Sequence, residues 1–225
     1  MRSTAHAILN NNTIPNGPIL EVGCGNCKFL SELSEKYSLA TKIGMDINSQ
    51  ALEHGKSILN MQGTPIQGDF HHLPFMESSL ALVIGLDAFD QTKTNLSTAL
   101  SQTFKTLIKD GLLLIRVSAH PWLLGQHDRS FGTGRRYTKN EICSDLMQAG
   151  FDIERFTYAN TTMLLPAIIV RIGINLGMVS VKNQFSTPKI LNTLLTKILK
   201  LEAELLKLTS IPTGLSIYVL ARKPK

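Results

Sequence analysis

The chain is poor in the features that mark an exported or membrane-spanning protein. Only three cysteines, Cys24, Cys27 and Cys143, stand among 225 residues. So low and odd a count excludes a disulfide framework and points to a reducing, cytoplasmic compartment. Met1 to Asn12 holds a single arginine and no apolar stretch of signal-peptide length, which is read as no export signal. The longest apolar stretch, Met163 to Val181, is interrupted by Pro166, Arg171 and Asn175. An arginine in mid-membrane costs about 2.5–3.5 kcal/mol, so a spanning helix is excluded, though a role at a membrane surface is not. Charged residues make up 18% of the chain, and the net charge of +6 comes from dispersed lysines and arginines rather than a run. Such a balance leaves nucleic acid, anionic lipid and acidic small molecules open as partners and selects none of them. Aromatics are equally sparse at 6%, with no aromatic-basic cluster and no appended module of the kind that grips RNA.

What is present is an ordinary globular balance, 43% apolar, in a chain long enough for one well-filled core. Short apolar runs alternate with segments of helical spacing. Residues 3–12 read as a helix, residues 18–22 as a buried strand, and residues 26–37 as a helix with Phe29, Leu30, Leu33 and Tyr37 on one face. Strands are then expected at 41–47, 64–67, 80–86, 112–117, 151–158 and 214–222, with helices at 49–60, 93–108 and from Thr138 to near Gly150. Lys109-Asp110-Gly111 reads as the turn into the fifth strand, and residues 118–137 as a polar loop. Thr138 followed by Glu141 forms a capping box. The pattern implies a single α/β domain over 1–225: a doubly wound, Rossmann-like, seven-stranded and mostly parallel sheet. A helical insertion, 159–213, interrupts it and is read as a lid.

The first strand runs into Glu21-Val22-Gly23-Cys24-Gly25-Asn26-Cys27. Glycines here allow a sharp turn and close approach of a ligand, as in a nucleotide loop that opens a helix. A dinucleotide fingerprint needs a third glycine where this chain has Lys28, which disfavours a nicotinamide site. Cys24 and Cys27 have the spacing of a metal half-site or redox pair, but no second Cys or His pair accompanies them, so no metal is expected. Asp46 ends the second strand and Asp69, with Phe70, ends the third. Either aspartate alone serves equally well as a helix cap or turn residue. Together, at the ends of successive strands, they suit ribose hydroxyls and an adenine amino group.

These segments resemble the motifs of class I S-adenosylmethionine-dependent methyltransferases of the small-molecule type. The likeness rests on Ile19-Leu20-Glu21-Val22-Gly23-Cys24-Gly25, Gly44-Met45-Asp46-Ile47, Gly68-Asp69 with His72-Leu73-Pro74-Phe75, the 80–86 strand and Lys109-Asp110-Gly111-Leu112. The resemblance implies a methyltransferase with S-adenosylmethionine as cofactor, its mostly parallel seven-stranded sheet closing in an antiparallel last strand. Gly23, Cys24 and Gly25 would pass beneath the methionine part, with Glu21 supporting its amino-acid end. Asp46 would hold the ribose, Ile47 would pack on adenine, Asp69 and Phe70 would bind adenine, and Leu86 and Asp87 would face the sulfonium. Two departures stand out. Cys27 occupies a position where many members have glycine, and Asp87-Ala88-Phe89-Asp90-Gln91 lacks the aromatic/proline tetrapeptide of the amino-methylating branches.

A hydroxyl acceptor needs a base. His120, His127 and Asp128 follow the fifth strand, and His127 is the preferred candidate. Arg135 and Arg136 suit a carboxylate or phosphate clamp, against the plainer reading of a surface pair with one salt bridge. Trp122 and Tyr137 join Asp128 and the arginines as candidate acceptor-binding residues, with Trp122 alternatively a buried anchor. The adjacent His71-His72 reads as exposed loop. Residues 189–208 repeat leucine and isoleucine at helical spacing beside Lys189, Lys197, Lys200 and Lys207. Such a helix packs on the sheet or on a second subunit, making a homodimer, or lies on a membrane and lids an apolar substrate. The expected partner is a small or lipid-like acceptor, and nucleic acid is disfavoured. The competing functions are an RNA methyltransferase and a non-catalytic binding module on the same fold.

Overall fold

The computed structural model describes residues 2–33, 37, 40–59, 63–175 and 189–225. A helix, α1 (Arg2–Asn10), precedes β1 (Ile19–Val22), α2 (Lys28–Glu32), β2 (Lys42–Asp46), α3 (Ser49–Leu59) and β3 (Thr64–Gln67). Then follow β4 (Leu80–Leu86), α4 (Leu96–Thr106), β5 (Leu107–Ser118), α5 (Gln126–Ser130), α6 (Lys139–Gln148) and β6 (Asp152–Ala159). The chain closes with α7 (Leu164–Asn175), α8 (Lys189–Leu205) and β7 (Ser216–Arg222).

The seven strands form one sheet in the order β3-β2-β1-β4-β5-β7-β6, with β7 antiparallel to both neighbours. Strands β1 and β4 are buried throughout or nearly so because helices cover both faces of the parallel sheet. One face packs Leu20, Val22, Val83, Leu113 and Ile115 beneath Leu100, Ile142 and Leu146 of α4 and α6. The other packs Ile19, Leu82, Ile84, Leu112 and Leu114 against Ile8, Leu30, Leu52 and Leu206. Each helix of this second face therefore contributes its apolar stripe to one continuous core. Placing β1 next to β4 makes the strand order reverse at β1, so the carboxyl ends of β1, β2 and β4 stand side by side at the switch point, where sheets of this kind carry their ligand crevice.

Three expectations change in detail. Lys109-Asp110-Gly111 lies within β5, because the chain pairs with β4 on both sides of it. Leu80 pairs with Leu107 and Leu82 with Leu112, so the turn survives as a bulge with Asp110 at φ +62°. The 118–137 loop is partly ordered, holding a 3₁₀ turn at Pro121–Leu123 and then α5. The helix expected over 26–37 is seen as α2, and residues 34–36 lie outside the described part. The capping box forms as expected, Thr138 Oγ1 accepting from Glu141 N while Glu141 Oε2 accepts from Thr138 N at 2.8 Å.

The insertion leaves and rejoins the sheet at one place, where Ala159 pairs with Ser216. Helix α8 packs on α1, burying Ala203 and Leu206. The Arg155 guanidinium reaches from β6 to the carbonyls of Leu206 and Thr209, a cation at a helix C-terminus. The buried Glu202 carboxylate accepts from the backbone N–H groups of Asn160 and Thr161. The sheet-packing reading of this segment therefore describes one side of α8, and its other side faces solvent.

Candidate active site

The glycine-rich loop is shaped by backbone conformations that few side chains tolerate. Gly23 has φ +64°, and a Cβ there would stand 2.8 Å from Ala88 Cβ. Gly25 has φ +53°, and a Cβ there would meet nothing, so this point of the loop faces open space. Cys27 also has φ +57°, the geometry that explains a glycine preference at this position. Its sulfur fills the gap left by Gly44 of β2, where a Cβ would lie 2.7 Å away, and it sits 3.3 Å from Cys24 Sγ. The two thiols are thus packing groups between loop and sheet. Among the described residues no group of three or more His, Cys, Asp or Glu could hold a metal ion.

Glu21 is buried and its carboxylate accepts from Leu30 N at 3.2 Å, fastening β1 to α2. Burial, reinforced by the neighbouring Cys27, pushes its carboxyl well above the ordinary range. It therefore supports the loop from behind. Asp46 lies at the crevice, its Oδ2 accepting from Gly25 N at 2.7 Å and its Oδ1 from Asn48 N at 2.8 Å. The capping role and the ligand role are compatible, because each carboxylate oxygen accepts more than one hydrogen bond. Ile47 beside it is 71% exposed, a large apolar side chain without cover. An acidic residue next to an uncovered apolar side chain, above an open glycine, fits an adenosine.

At the end of β3, Asp69 Oδ1 accepts from His71 N at 2.9 Å and from His71 Nδ1 at 2.5 Å. His71 Nε2 accepts from Asn95 N at 2.9 Å, which fixes the neutral tautomer with its proton toward Asp69. The backbone N–H and then the ring of His71 hold the Asp69 carboxyl below its usual value. The ring also stacks on Phe70 at 4.8 Å. His71 is thus an orienting residue for both adenine-binding candidates. It was expected to be exposed loop; its side chain is largely covered because the 95–96 turn closes over it.

After β4, Asp87 takes φ +66° and its carboxylate pairs with the Arg116 guanidinium, which also donates to Ser216 Oγ at 2.6 Å. Burial lowers the Arg116 pKa. Register places Arg116 directly beside Leu86, so this cation lies at the carboxyl end of β4. Sequence reasoning missed Arg116, whose only signal is a charge inside the apolar run of β5.

The acceptor-side candidates divide. Asp128 is buried and pairs at 2.6 Å with the largely covered Arg136, while Asp128 Oδ2 accepts from Gly125 N and Arg136 Nη1 donates to Ala119 O. They hold the 118–137 loop together and are not a free clamp. Arg135 is exposed, pairs with Glu141 at 3.1 Å and lies 4.6 Å over the Tyr137 ring, matching the surface-pair reading. Tyr137 is buried, its phenol pushed up to about 12. Asp90, missed by sequence reasoning, is buried, accepts from Ser118 N at 2.8 Å, and is raised by burial. His127 is exposed on α5, 4.9 Å from the Phe131 ring. Trp122 is 60% exposed, so it is no buried anchor.

His120 stands closer to the strand ends. It takes φ +62° directly after β5, its N–H donates to Tyr137 O, and its ring stacks on Tyr158 at 5.6 Å. Nε2 lies 3.4 Å from Thr213 Oγ1. Burial lowers its pKa below 6.5, so the neutral ring, with a nitrogen free of its proton, predominates at pH 7. Helix α7 crosses this loop, the Arg171 guanidinium donating to Leu124 O.

Residues 19–111 match the family described as "Methyltransferase domain". A fatty-acid O-methyltransferase of Mycolicibacterium smegmatis is 32% identical over 71 residues, which are 31% of this chain and 26% of that protein. A SAM-dependent methyltransferase from Methanosarcina mazei has a similar structure, with a TM-score of 0.64 at 16% identity over 96% of this chain and 97% of that one. So does phosphoethanolamine N-methyltransferase 2 of Haemonchus contortus in complex with S-adenosyl-L-methionine, with a TM-score of 0.64 at 14% identity over 99% and 52%. The matched residues hold the glycine-rich loop, Asp46, Asp69 and Asp87. The chain thus shares the Rossmann-like fold of these structures, and its residues 19–111 are similar to a methyltransferase domain.

Proposed function

We propose that the protein transfers the methyl group of S-adenosylmethionine to a small, apolar or lipid-like acceptor through a carboxylate or hydroxyl oxygen. The cofactor, when bound, supplies an electrophilic methyl group on a sulfonium whose departure leaves a neutral thioether. The protein contributes alignment. Asp46 receives the ribose hydroxyls, Ile47 and Phe70 flank the adenine, and Asp69, held by His71, receives its amino group. Leu86 and Asp87 border the methyl-bearing end. His120, kept neutral by burial, takes the proton of a hydroxyl acceptor; a carboxylate arrives already deprotonated and needs only positioning.

The observation that carries the apolar acceptor is α7. Its Arg171 donates to Leu124 O, just past the His120–Trp122 segment, and it leaves Leu165, Ile169 and Ile172 exposed along one face. The local similarity to a fatty-acid O-methyltransferase points the same way. In this reading α7 is the part of the insertion that acts as a lid. The experiment is methyl-ester detection by mass spectrometry with saturated fatty acids of increasing chain length. We expect kcat/KM to rise up to about fourfold per added methylene while the chain stays in contact with the protein. A flat profile, or methylation of short acids alone, would remove the apolar acceptor.

A further inference from the structure

Helix α8 carries more apolar surface than the fold uses. One side is committed inward, through Ala203, Leu206 and the buried Glu202. The opposite side, continued by the helical turn after Leu205, presents Leu201, Leu205 and Leu208 at i, i+4 and i+7, which are 66%, 58% and 88% exposed. At helical spacing these three project in one direction. Exposed lysines run along a single flank of the stripe: Lys197, Lys200 and Lys207. Lys207 pairs with Glu204 on that same flank. The platform is fixed, since Arg155 and Asn11 hold the carbonyls at the end of α8 and Glu202 anchors its side.

We infer that this face seats the protein on the surface of an anionic lipid bilayer. The three leucines enter the headgroup–acyl boundary and the lysine flank meets the anionic headgroups. Charge complementarity favours this occupant over a second copy of the chain. An antiparallel pairing of two such helices sets both lysine flanks on the same edge, where they repel. The chain's net charge of +6 adds attraction to an anionic surface. No helix among the described residues is long and apolar enough to cross a membrane, so contact of this kind stays at the surface.

The test is co-sedimentation of the full chain with vesicles of phosphatidylcholine alone and of phosphatidylcholine mixed with phosphatidylglycerol. Binding to the mixed vesicles is expected, with weak binding to the neutral ones. Lys197→Ala/Lys200→Ala should weaken binding to the mixed vesicles about thirtyfold. Leu201→Ser/Leu205→Ser/Leu208→Ser should weaken it more than about tenfold, while thermal melting stays unchanged because these side chains face solvent. Wild-type protein that stays in the supernatant with mixed vesicles, or a triple serine variant that binds like wild type, would overturn the inference. A concentration-dependent dimer abolished by the serine variant would assign the face to a second copy instead.

Discussion

Single side chains at the crevice fall into two groups that the sequence cannot separate, because both are made of the same residue types. Arg135 and Arg136 are neighbours, yet one is a surface ion pair and the other is half of a buried one. Removing one partner of a buried pair leaves an uncompensated charge, so Arg136→Met is expected to cost about 3–5 kcal/mol. Arg135→Ala should cost less than about 1 kcal/mol. Urea denaturation measures both; equal losses would contradict the placement of this loop. His120 offers a second test at this scale. Burial holds its folded pKa below the unfolded value of 6.5. The folded state thus refuses a proton that the unfolded state accepts, and His120 costs stability as pH falls from 6.5 toward its folded pKa. In activity the same shift places the acidic limb of the kcat/KM profile with a hydroxyl acceptor below pH 6.5. His120→Gln should abolish that limb and lower kcat about 10²–10⁴-fold. His127→Gln should leave both unchanged.

Among elements, the glycine-rich loop shows how packing converts a composition into a shape. Gly44 exists to admit two sulfurs, with Cys27 Sγ 2.7 Å and Cys24 Sγ 3.0 Å from where its Cβ would stand. Gly44→Ala is expected to cost about 1–3 kcal/mol in thermal or urea unfolding. Pairing it with Cys27→Gly should recover part of that loss, since the second change removes the sulfur and suits the positive φ. Additive losses would mean that the sulfur is not what the Cβ meets. Elements of this kind were legible where local chemistry alone decides them. The fully apolar 80–86 run, the strand ends at Asp46 and Asp69, and the Thr138–Glu141 box needed no tertiary information. The turn at 109–111 was legible as a turn but not as a bulge, because strand pairing on both sides of it is a long-range fact. His71 was missed for the same reason: its partner Asn95 lies 24 residues away.

For the whole molecule, strand–helix alternation made the doubly wound sheet legible, while the antiparallel direction of the final strand was expected only from the methyltransferase resemblance. Less legible was the acceptor end. Its candidates come from a loop, a 3₁₀ turn and an inserted helix that meet only in three dimensions, so nothing local separates His120 from His127. Helix α8 showed its amphipathic pattern in the sequence, but which leucines stay outside depends on α1 and Arg155. The central claim is that the crevice at the ends of β1, β2 and β3 is an adenosine site for S-adenosylmethionine. Calorimetric titration with S-adenosylmethionine and S-adenosylhomocysteine, beside NAD, tests it most directly. Binding of the first two but not NAD, weakened at least about tenfold by Asp46→Ala, is the expected result. Absence of binding by both, or binding indifferent to Asp46, would contradict the account and move the fold to a non-catalytic role.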